Sequence, residues 1–211
     1  MCVIKLIKRN MNTILKLFFS SLVIVSILSS CNESRVTPTE SNNDLHIALL
    51  VTHGFHGEET YMPIGYLVNK GFQVTVIGPE VGRVESWDRK YNILIEKSIS
   101  DVTIEDFDAL IIPGGSAPVR MREVPEAVDY TIDFYYSGKV VASICHGPQL
   151  LTVTGILDGV NATGVSDIKE EMEIAGANYI DEAVVVHNNL ITSREPDDIP
   201  SFIIAIEKAL N

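Results

Sequence analysis

The feature that most constrains the fold is the alternation of short apolar runs with longer amphipathic stretches from Leu45 onward. The apolar runs are HIALLVT (46–52), FQVTVIG (72–78), ALIIP (109–113), KVVASI (139–144), AVVVH (183–187) and NLITS (189–193). The stretches with helical periodicity cover residues 61–69, 124–136, 148–156, 168–175 and 199–210. Apolar strands that alternate with helices are typical of a parallel sheet covered on both faces. The sequence therefore predicts one α/β domain over residues 45–211, with a small hairpin or an edge excursion around residues 91–95.

The first 31 residues differ from the rest of the chain in charge and hydropathy. They contain four basic residues and no acidic one, so the remaining chain holds 12 basic and 28 acidic residues, a net charge of −16. Residues 17–28 carry no charge. As a helix this run would rise about 18 Å, which is well short of the roughly 30 Å of a bilayer core. Basic residues before a short apolar run are typical of a signal peptide, which we predict over residues 1–31.

The predicted signal peptide ends in Leu-Ser-Ser-Cys at residues 28–31, which resembles a bacterial lipobox. In a lipobox the cysteine is diacylated before cleavage, so Cys31 would be the lipidated first residue of the mature protein, whether translation starts at Met1 or at Met11. An ordinary secretory signal is the alternative. Because two or more acyl chains anchor a protein stably, we expect a membrane-anchored lipoprotein of the bacterial cell envelope. Residues 32–44 are polar and contain a proline, which predicts a flexible tether.

The acidic charge of the mature chain argues against nucleic acid as a partner. A net charge of this sign repels phosphate backbones, and no run of Lys and Arg exists beyond the N-terminus. Gly114 and Gly115 could belong to a phosphate-binding loop, but no Lys-Ser/Thr pair follows them. We therefore expect neither nucleic-acid nor nucleotide binding.

The residues suited to chemistry follow the predicted strands. They lie in the segments HGFHGEE (53–59), PGGSAP (113–118) and CHGPQ (145–149). Carboxyl ends of parallel strands meet at one edge of a sheet, so these segments should converge. Cys145 stands between an apolar strand and a helix with small neighbours, as in a nucleophile elbow. A helix N-terminus favours thiolate over thiol, so we expect a lowered pKa; a buried structural cysteine is the alternative.

Four segments resemble the ThiJ/PfpI family, in its PfpI branch. They are DFDALIIPGG (106–115), VASICHGPQLL (141–151), DIKEEMEIAGANYIDEAVVV (167–186) and TSREPDDIPSF (192–202). The similarity extends over about residues 45–210. It implies a flavodoxin-like three-layer α/β/α sandwich with a mainly parallel sheet, related to the class I glutamine amidotransferases, and subunits that associate as a homo-oligomer.

The resemblance also implies the roles of the site residues. Cys145 matches the family nucleophile, and His146 matches the histidine that distinguishes the PfpI branch. Glu59 matches the carboxyl group that hydrogen-bonds the sulfur and, when protonated, lowers the thiol pKa. The backbone N–H groups of Gly115 and His146 correspond to the oxyanion hole, whose fixed donors meet the charge on a substrate oxygen. No cofactor is implied.

One departure from the family concerns the acid that orients the histidine. In PfpI-type proteases this acid comes from a neighbouring subunit, just after the proline of the PGGxAP loop, and here the position is Val119. A valine cannot accept the imidazole N–H, so the Cys-His-acid triad cannot be assembled in the usual way. Arg120, beside it, could contact a substrate carboxylate or a neighbouring subunit. The departure weakens the case for proteolysis.

A second departure is His56, where relatives commonly carry an acid. This residue could supply a base, or a metal ligand together with His53 and Glu59. Loop histidines at this spacing lack the fixed geometry of a helical pair, so we expect no metal.

The function expected from these residues is that of an enzyme with a cysteine nucleophile. The substrate would be a small reactive carbonyl compound, as for glyoxalases and deglycases, or an amide or peptide bond. Val119 favours the small carbonyl compound. The alternative is a non-catalytic redox sensor or chaperone-like stress protein with an oxidisable Cys145. A binding protein that has lost the chemistry is a third possibility.

Overall fold

The computed structural model describes residues 44–211. The predicted signal peptide, Cys31 and nearly all of the predicted tether lie outside the described residues. The strands are β1 (His46–Leu50), β2 (Gln73–Gly78), β3 (Gly82–Glu85), β4 (Asn92–Ile95), β5 (Lys97–Ser98), β6 (Ala109–Ile112), β7 (Val140–Ile144), β8 (Asn161–Ala162), β9 (Asn178–Tyr179), β10 (Val184–His187) and β11 (Leu190–Ser193). The helices are α1 (Gly57–Asn69), α2 (Ala117–Met121), α3 (Pro125–Tyr136), α4 (Pro148–Leu151), α5 (Lys169–Ile174) and α6 (Ile199–Leu210).

A seven-stranded sheet in the order β10-β11-β7-β6-β1-β2-β5 forms the centre of the domain. Its neighbours pair in parallel except β10, which is antiparallel to β11 at one edge. The crossover from β1 to β2 through α1 runs opposite to that from β6 to β7 through α3. Because such crossovers are right-handed, α1 and α3 cover opposite faces of the sheet. The predicted flavodoxin-like α/β fold is confirmed.

The apolar runs form strands whose side chains are buried on both faces of the sheet, because helices cover both faces. Every residue of β6 and of β7 is buried. On one face α6 packs against β7, β11 and α1, and Phe202 and Ile206 of this helix are fully buried. The small hairpin predicted around residues 91–95 is also confirmed, since β4 pairs antiparallel with β3.

Two helix boundaries differ from the prediction. The helix predicted over residues 148–156 ends at Leu151. There the Thr152 hydroxyl donates to the Gln149 carbonyl at 2.8 Å, and the Thr154 hydroxyl donates to the Leu151 carbonyl at 2.7 Å. These hydroxyls compete with backbone N–H groups for the carbonyls of the helix. The helix predicted from residue 61 already begins at Gly57. Within residues 44–211, no helix is long and apolar enough to cross a bilayer.

Candidate active site

The turn after β7 has the predicted elbow geometry. Cys145 has a φ of +62°, a left-handed conformation that is strained for a residue with a Cβ atom. Backbone hydrogen bonds hold it, since its N–H donates to the Ser193 carbonyl at 3.0 Å and its carbonyl accepts from the Val165 N–H at 3.1 Å. A Cβ atom at Gly147 would overlap the Ser143 hydroxyl, so only glycine lets the turn close.

The Cys145 thiol lies between two groups that can accept its proton. Its Sγ is 3.3 Å from His146 Nδ1, and the Glu59 carboxyl group lies beside it. The Oε2 atom of this carboxyl group accepts from the Gly114 N–H at 2.8 Å. The N–H groups of Gly115 and His146 also lie near the sulfur. The structure thus brings the four predicted residues Cys145, His146, Glu59 and Gly115 together.

The loop after β6 approaches the thiol closely because it has no side chains there. A Cβ atom at Gly114 would lie 2.8 Å from Glu59 Oε2 and 2.9 Å from the Cβ atom of Cys145. Gly115 has a φ of +82°, and a Cβ atom there would overlap the Gly54 carbonyl oxygen. Both glycines are therefore required by the packing around Cys145.

Burial shifts the titration of both central groups in the same direction. It raises the pKa of the Glu59 carboxyl from 4.5 to about 7, although the Gly114 N–H opposes the shift. Burial also raises the pKa of the Cys145 thiol, the negative charge of Glu59 adds to this, and the N–H groups of His146 and Gly115 oppose it. The expected lowering of the thiol pKa is therefore wrong. Helix α4 has only four residues and a correspondingly weak dipole, whereas the thiol is 6% exposed and beside a carboxyl group.

An acid from the same chain reaches His146. The Nε2 atom of His146 lies 3.2 Å from Asp167 Oδ2, and the Asp167 side chain is 65% exposed. Asp167 belongs to the short 3₁₀ turn Ser166–Ile168 ahead of α5. As the sequence predicts, position 119 supplies no acid to His146. Asp167 supplies one instead. This role could not be predicted from the sequence, because an acid just before a helix is a common surface feature.

His56 lies against the buried carboxyl group. Its Nδ1 atom is 3.6 Å from Glu59 Oε1, and neither atom has a hydrogen-bond partner although both are buried. Burial lowers the pKa of His56, and the carboxylates of Glu58 and Asp88 oppose the shift. A neutral imidazole at this position can exchange a proton with Glu59 after a small movement.

Comparison with known proteins agrees with this geometry. The sequence profile of the DJ-1/PfpI family matches residues 45–209. The chain belongs to the DJ-1/PfpI family. General stress protein 18 of Bacillus subtilis is 42% identical over 158 residues, which cover 74% of this chain and 92% of that protein. Protein/nucleic acid deglycase 2 of Escherichia coli is 40% identical over 158 residues, with the same shares of the two chains.

The fold of this DJ-1/PfpI domain is also similar to solved structures. A two-domain protein from Anabaena variabilis, with DJ-1/ThiJ/PfpI-like and ferritin-like domains, superposes with a TM-score of 0.78 at 37% sequence identity. The similarity covers 79% of this chain but 48% of that one, so about half of the longer protein is matched.

His53 and Arg120 lie away from the thiol in this DJ-1/PfpI domain. Both line a separate cavity of about 320 Å³, and His53 Nδ1 accepts from the Glu85 N–H at 3.2 Å. The structure therefore does not bring Arg120 into the site, and His53 does not join His56 and Glu59. Among residues 44–211, no three His, Cys, Asp or Glu side chains form a group that could hold a metal ion.

A cavity of about 640 Å³ opens onto the thiol of this DJ-1/PfpI domain. Its lining residues are His56, Trp87, Gly115, Ser116, Val119, Cys145, His146 and Gln149. Trp87 comes from the connection between β3 and β4, and its exposed fraction is 58%. Trp87 was not predicted as a site residue, because its position at the cavity follows from the packing of the hairpin. The only feature of the sequence that could have drawn attention to it is that it is the single tryptophan. A cavity of this size fits a small ligand.

Proposed function

We propose that this protein is a cysteine-dependent enzyme that acts on small reactive carbonyl compounds, with amide or peptide bonds as a second substrate class. The observation that carries the proposal is the Cys145 thiol at a cavity, with His146 Nδ1 3.3 Å from the sulfur. The name of the deglycase relative from Escherichia coli agrees with carbonyl chemistry. The names of the relatives indicate different activities, so we infer the substrate class from the geometry of the site.

The first step is attack of the sulfur on the carbonyl carbon. As the S–C bond forms, the thiol proton moves to His146 Nδ1 or to the Glu59 carboxylate, and the C=O π electrons move to the oxygen. The N–H groups of Gly115 and His146, which lie beside the sulfur, stabilise that oxyanion. Asp167 accepts the Nε2–H of His146 and stabilises the imidazolium.

The later steps depend on the substrate. With an α-oxoaldehyde, the adduct is a hemithioacetal. A base moves the proton on the former aldehyde carbon to the neighbouring carbon, and water hydrolyses the resulting thioester to a hydroxy acid. With an amide, the C–N bond breaks, the amine takes the proton from His146, and water hydrolyses the thioester. Both routes use the same groups.

Turnover of methylglyoxal and of a reporter peptide by the full-length chain tests this proposal. We expect Cys145→Ser to lower kcat/KM at least about 10³-fold, and His146→Ala about 10²-fold or more. His53→Ala is the matched control, because His53 lines the separate cavity and should retain wild-type turnover. Absence of turnover in the wild type, or equal turnover in Cys145→Ser, would contradict the proposal.

A redox-sensing role in stress is the second candidate function. The name of general stress protein 18 favours it, and a Glu59 carboxyl with a pKa of about 7 can donate a hydrogen bond to a cysteine sulfinate. The raised thiol pKa argues against it, because peroxide reacts with thiolate. Mass spectrometry after peroxide treatment decides between them: selective oxidation of Cys145 in a protein without turnover would favour the sensor.

We also propose that Cys31 anchors the domain to the bacterial cell envelope as a lipid-modified residue. The proposal is supported by the Leu-Ser-Ser-Cys sequence after the uncharged run. Globomycin, which blocks lipoprotein signal peptidase, should cause an unprocessed precursor to accumulate, and Cys31→Ala should do the same. Cys2→Ala is the control and should be processed normally. Processing that is unaffected by globomycin rules out the anchor.

A further inference from the structure

We infer that the cavity at Cys145 selects substrates whose reacting carbonyl carries an uncharged apolar or aromatic group, and that it rejects substrates with a carboxylate beside that carbonyl. The inference rests on the proposed function and narrows its substrate class. It follows from two observations on the cavity, which are its apolar wall and the charges around it.

The apolar wall consists of Trp87, Val119 and the ring of His56. The rings of Trp87 and His56 are stacked, with centroids 6.3 Å apart and planes inclined by 28°. Val119 contributes methyl groups where PfpI-type proteases have an acid. Flat apolar groups gain contact area and favourable ring packing against such a wall.

The Trp87 backbone is fixed to the loop that carries the active site. Its N–H donates to the Phe55 carbonyl at 3.0 Å, and Phe55 forms isolated β-bridges with both Ser86 and Gly115. The Ser86 hydroxyl also accepts from the Tyr91 N–H at 3.0 Å, which closes the turn. The indole ring is nevertheless exposed, so a ligand in the cavity can cover it without unfolding the hairpin.

The charges around the cavity disfavour anions. Within residues 44–211, no Lys or Arg side chain lines it. On one side of the cavity, the Asp167 carboxylate contacts His146. On the other side, the carboxylates of Glu58 and Asp88 lie close enough to His56 to raise its pKa.

Two basic residues of this region, Lys90 and Arg122, are paired with acids. Lys90 lies 3.0 Å from Asp88, and Arg122 pairs with Glu171, which also accepts from Gln149 Nε2 at 2.8 Å. A carboxylate that enters would lose water and meet carboxylates without a matching cation.

Binding can be measured without catalysis, because Trp87 is the chain's single tryptophan. The probes are benzamide, benzoate and acetamide, added to full-length Cys145→Ala. Benzoate has the same ring as benzamide but a charge, and acetamide lacks the ring. We expect benzamide to change the Trp87 fluorescence with a Kd about tenfold below those of benzoate and acetamide. Equal or tighter binding of benzoate overturns the inference.

The contribution of Trp87 is tested by turnover of phenylglyoxal and methylglyoxal. We expect Trp87→Ala to lower the ratio of the two kcat/KM values, phenylglyoxal over methylglyoxal, about tenfold. Leu94→Ala is the matched control, since Leu94 is an exposed apolar residue on the same hairpin that does not line the cavity. An unchanged ratio in Trp87→Ala overturns the inference.

The two measurements separate this inference from the proposed function. Selective binding of benzamide by a protein that turns over neither dicarbonyl nor the reporter peptide supports the selectivity of the cavity and contradicts the proposed enzyme. Turnover of both dicarbonyls with no preference for the ring supports the enzyme and contradicts the selectivity.

Discussion

Cys145 lies between His146 on one side and Glu59 on the other, and it is almost fully buried. Burial raises the pKa of the thiol, so the thiol holds its proton at neutral pH. His146 is positioned by Asp167, whereas Glu59 is positioned by the Gly114 N–H. In the proposed mechanism, one of these two acceptors takes the thiol proton during attack.

The raised pKa of Glu59 has a consequence for stability. Below about pH 4.5 the folded and unfolded states both hold the proton, and between 4.5 and about 7 the unfolded state alone releases it. The free energy of unfolding therefore falls as the pH rises, by on the order of 3 kcal/mol in total. Glu59→Gln should remove this contribution, so its urea unfolding should vary less between pH 4.5 and pH 8 than that of the wild type.

Glu126→Gln is the control for that measurement. Glu126 is an exposed acid of α3 that does not act on the Glu59 carboxyl group, so its substitution should leave the pH dependence of the wild type intact. A Glu59→Gln variant with the wild-type dependence would show that the carboxyl group titrates in the folded state as it does in the unfolded one.

Asp167 is predicted to orient His146 for catalysis. Because the pair is largely exposed, Asp167→Asn should lower kcat about tenfold, less than the roughly 10⁴-fold seen where the acid of a triad is buried. Asp167→Glu should recover part of the loss, and the free energy of unfolding should not change. Steady-state kinetics and urea unfolding measure these effects. If Asp167→Asn behaves like Glu170→Gln, a neighbouring surface substitution, Asp167 has no role in catalysis.

The residues that match motifs of the family could be predicted from the sequence. They are the adjacent pair Cys145 and His146, Glu59, and Gly115 in the PGGSAP segment. Asp167 could not be predicted, because it reaches His146 through the packing of the segment ahead of α5. The direction of the thiol pKa was also missed, since burial depends on the surrounding fold and not on the motif.

At the level of elements, the loops after β1 and β6 are joined by backbone hydrogen bonds. The His56 N–H donates to the Gly114 carbonyl at 3.0 Å, and the Ser116 N–H donates to the Gly54 carbonyl at 2.8 Å. These bonds hold Gly115, the predicted oxyanion donor, against the loop that leads to Glu59.

Gly115→Ala tests this coupling. The added Cβ atom would overlap the Gly54 carbonyl, so we expect a loss of about 3 kcal/mol in the free energy of unfolding and a loss of turnover. Gly138→Ala is the matched control: Gly138 also has a φ of +82°, but a Cβ atom there meets nothing within 4 Å. It should cost about 1 kcal/mol from backbone strain alone and keep its activity. Equal losses of free energy of unfolding in the two variants would mean that backbone strain, and not the overlap with the Gly54 carbonyl, causes the destabilisation.

The strands were easier to predict than the helix ends. Apolar runs such as that of β7 mark buried parallel strands whatever their neighbours are. The end of α4 depends on the hydroxyls of Thr152 and Thr154, which compete with the backbone in a way that periodicity does not reveal.

At the scale of the whole molecule, the sheet order explains why distant segments share one site. β1, β6 and β7 are neighbours in the sheet, so the loops at their carboxyl ends meet at one edge. This convergence could be predicted from the sequence, because it follows from parallel pairing alone. The homo-oligomer and the lipid anchor stay predictions, since the first concerns contacts between chains and the second concerns Cys31.

In the proposed mechanism, Cys145 is a buried thiol at rest and is ionised by a neighbouring base during attack. The decisive measurement is the rate of alkylation of Cys145 by iodoacetamide at a series of pH values, followed by mass spectrometry of the Cys145 peptide. Because the thiolate is the reacting form, a raised pKa predicts a rate that still increases at about pH 9. A rate that levels off at about pH 7 or below would mean a preformed thiolate and would rule this mechanism out.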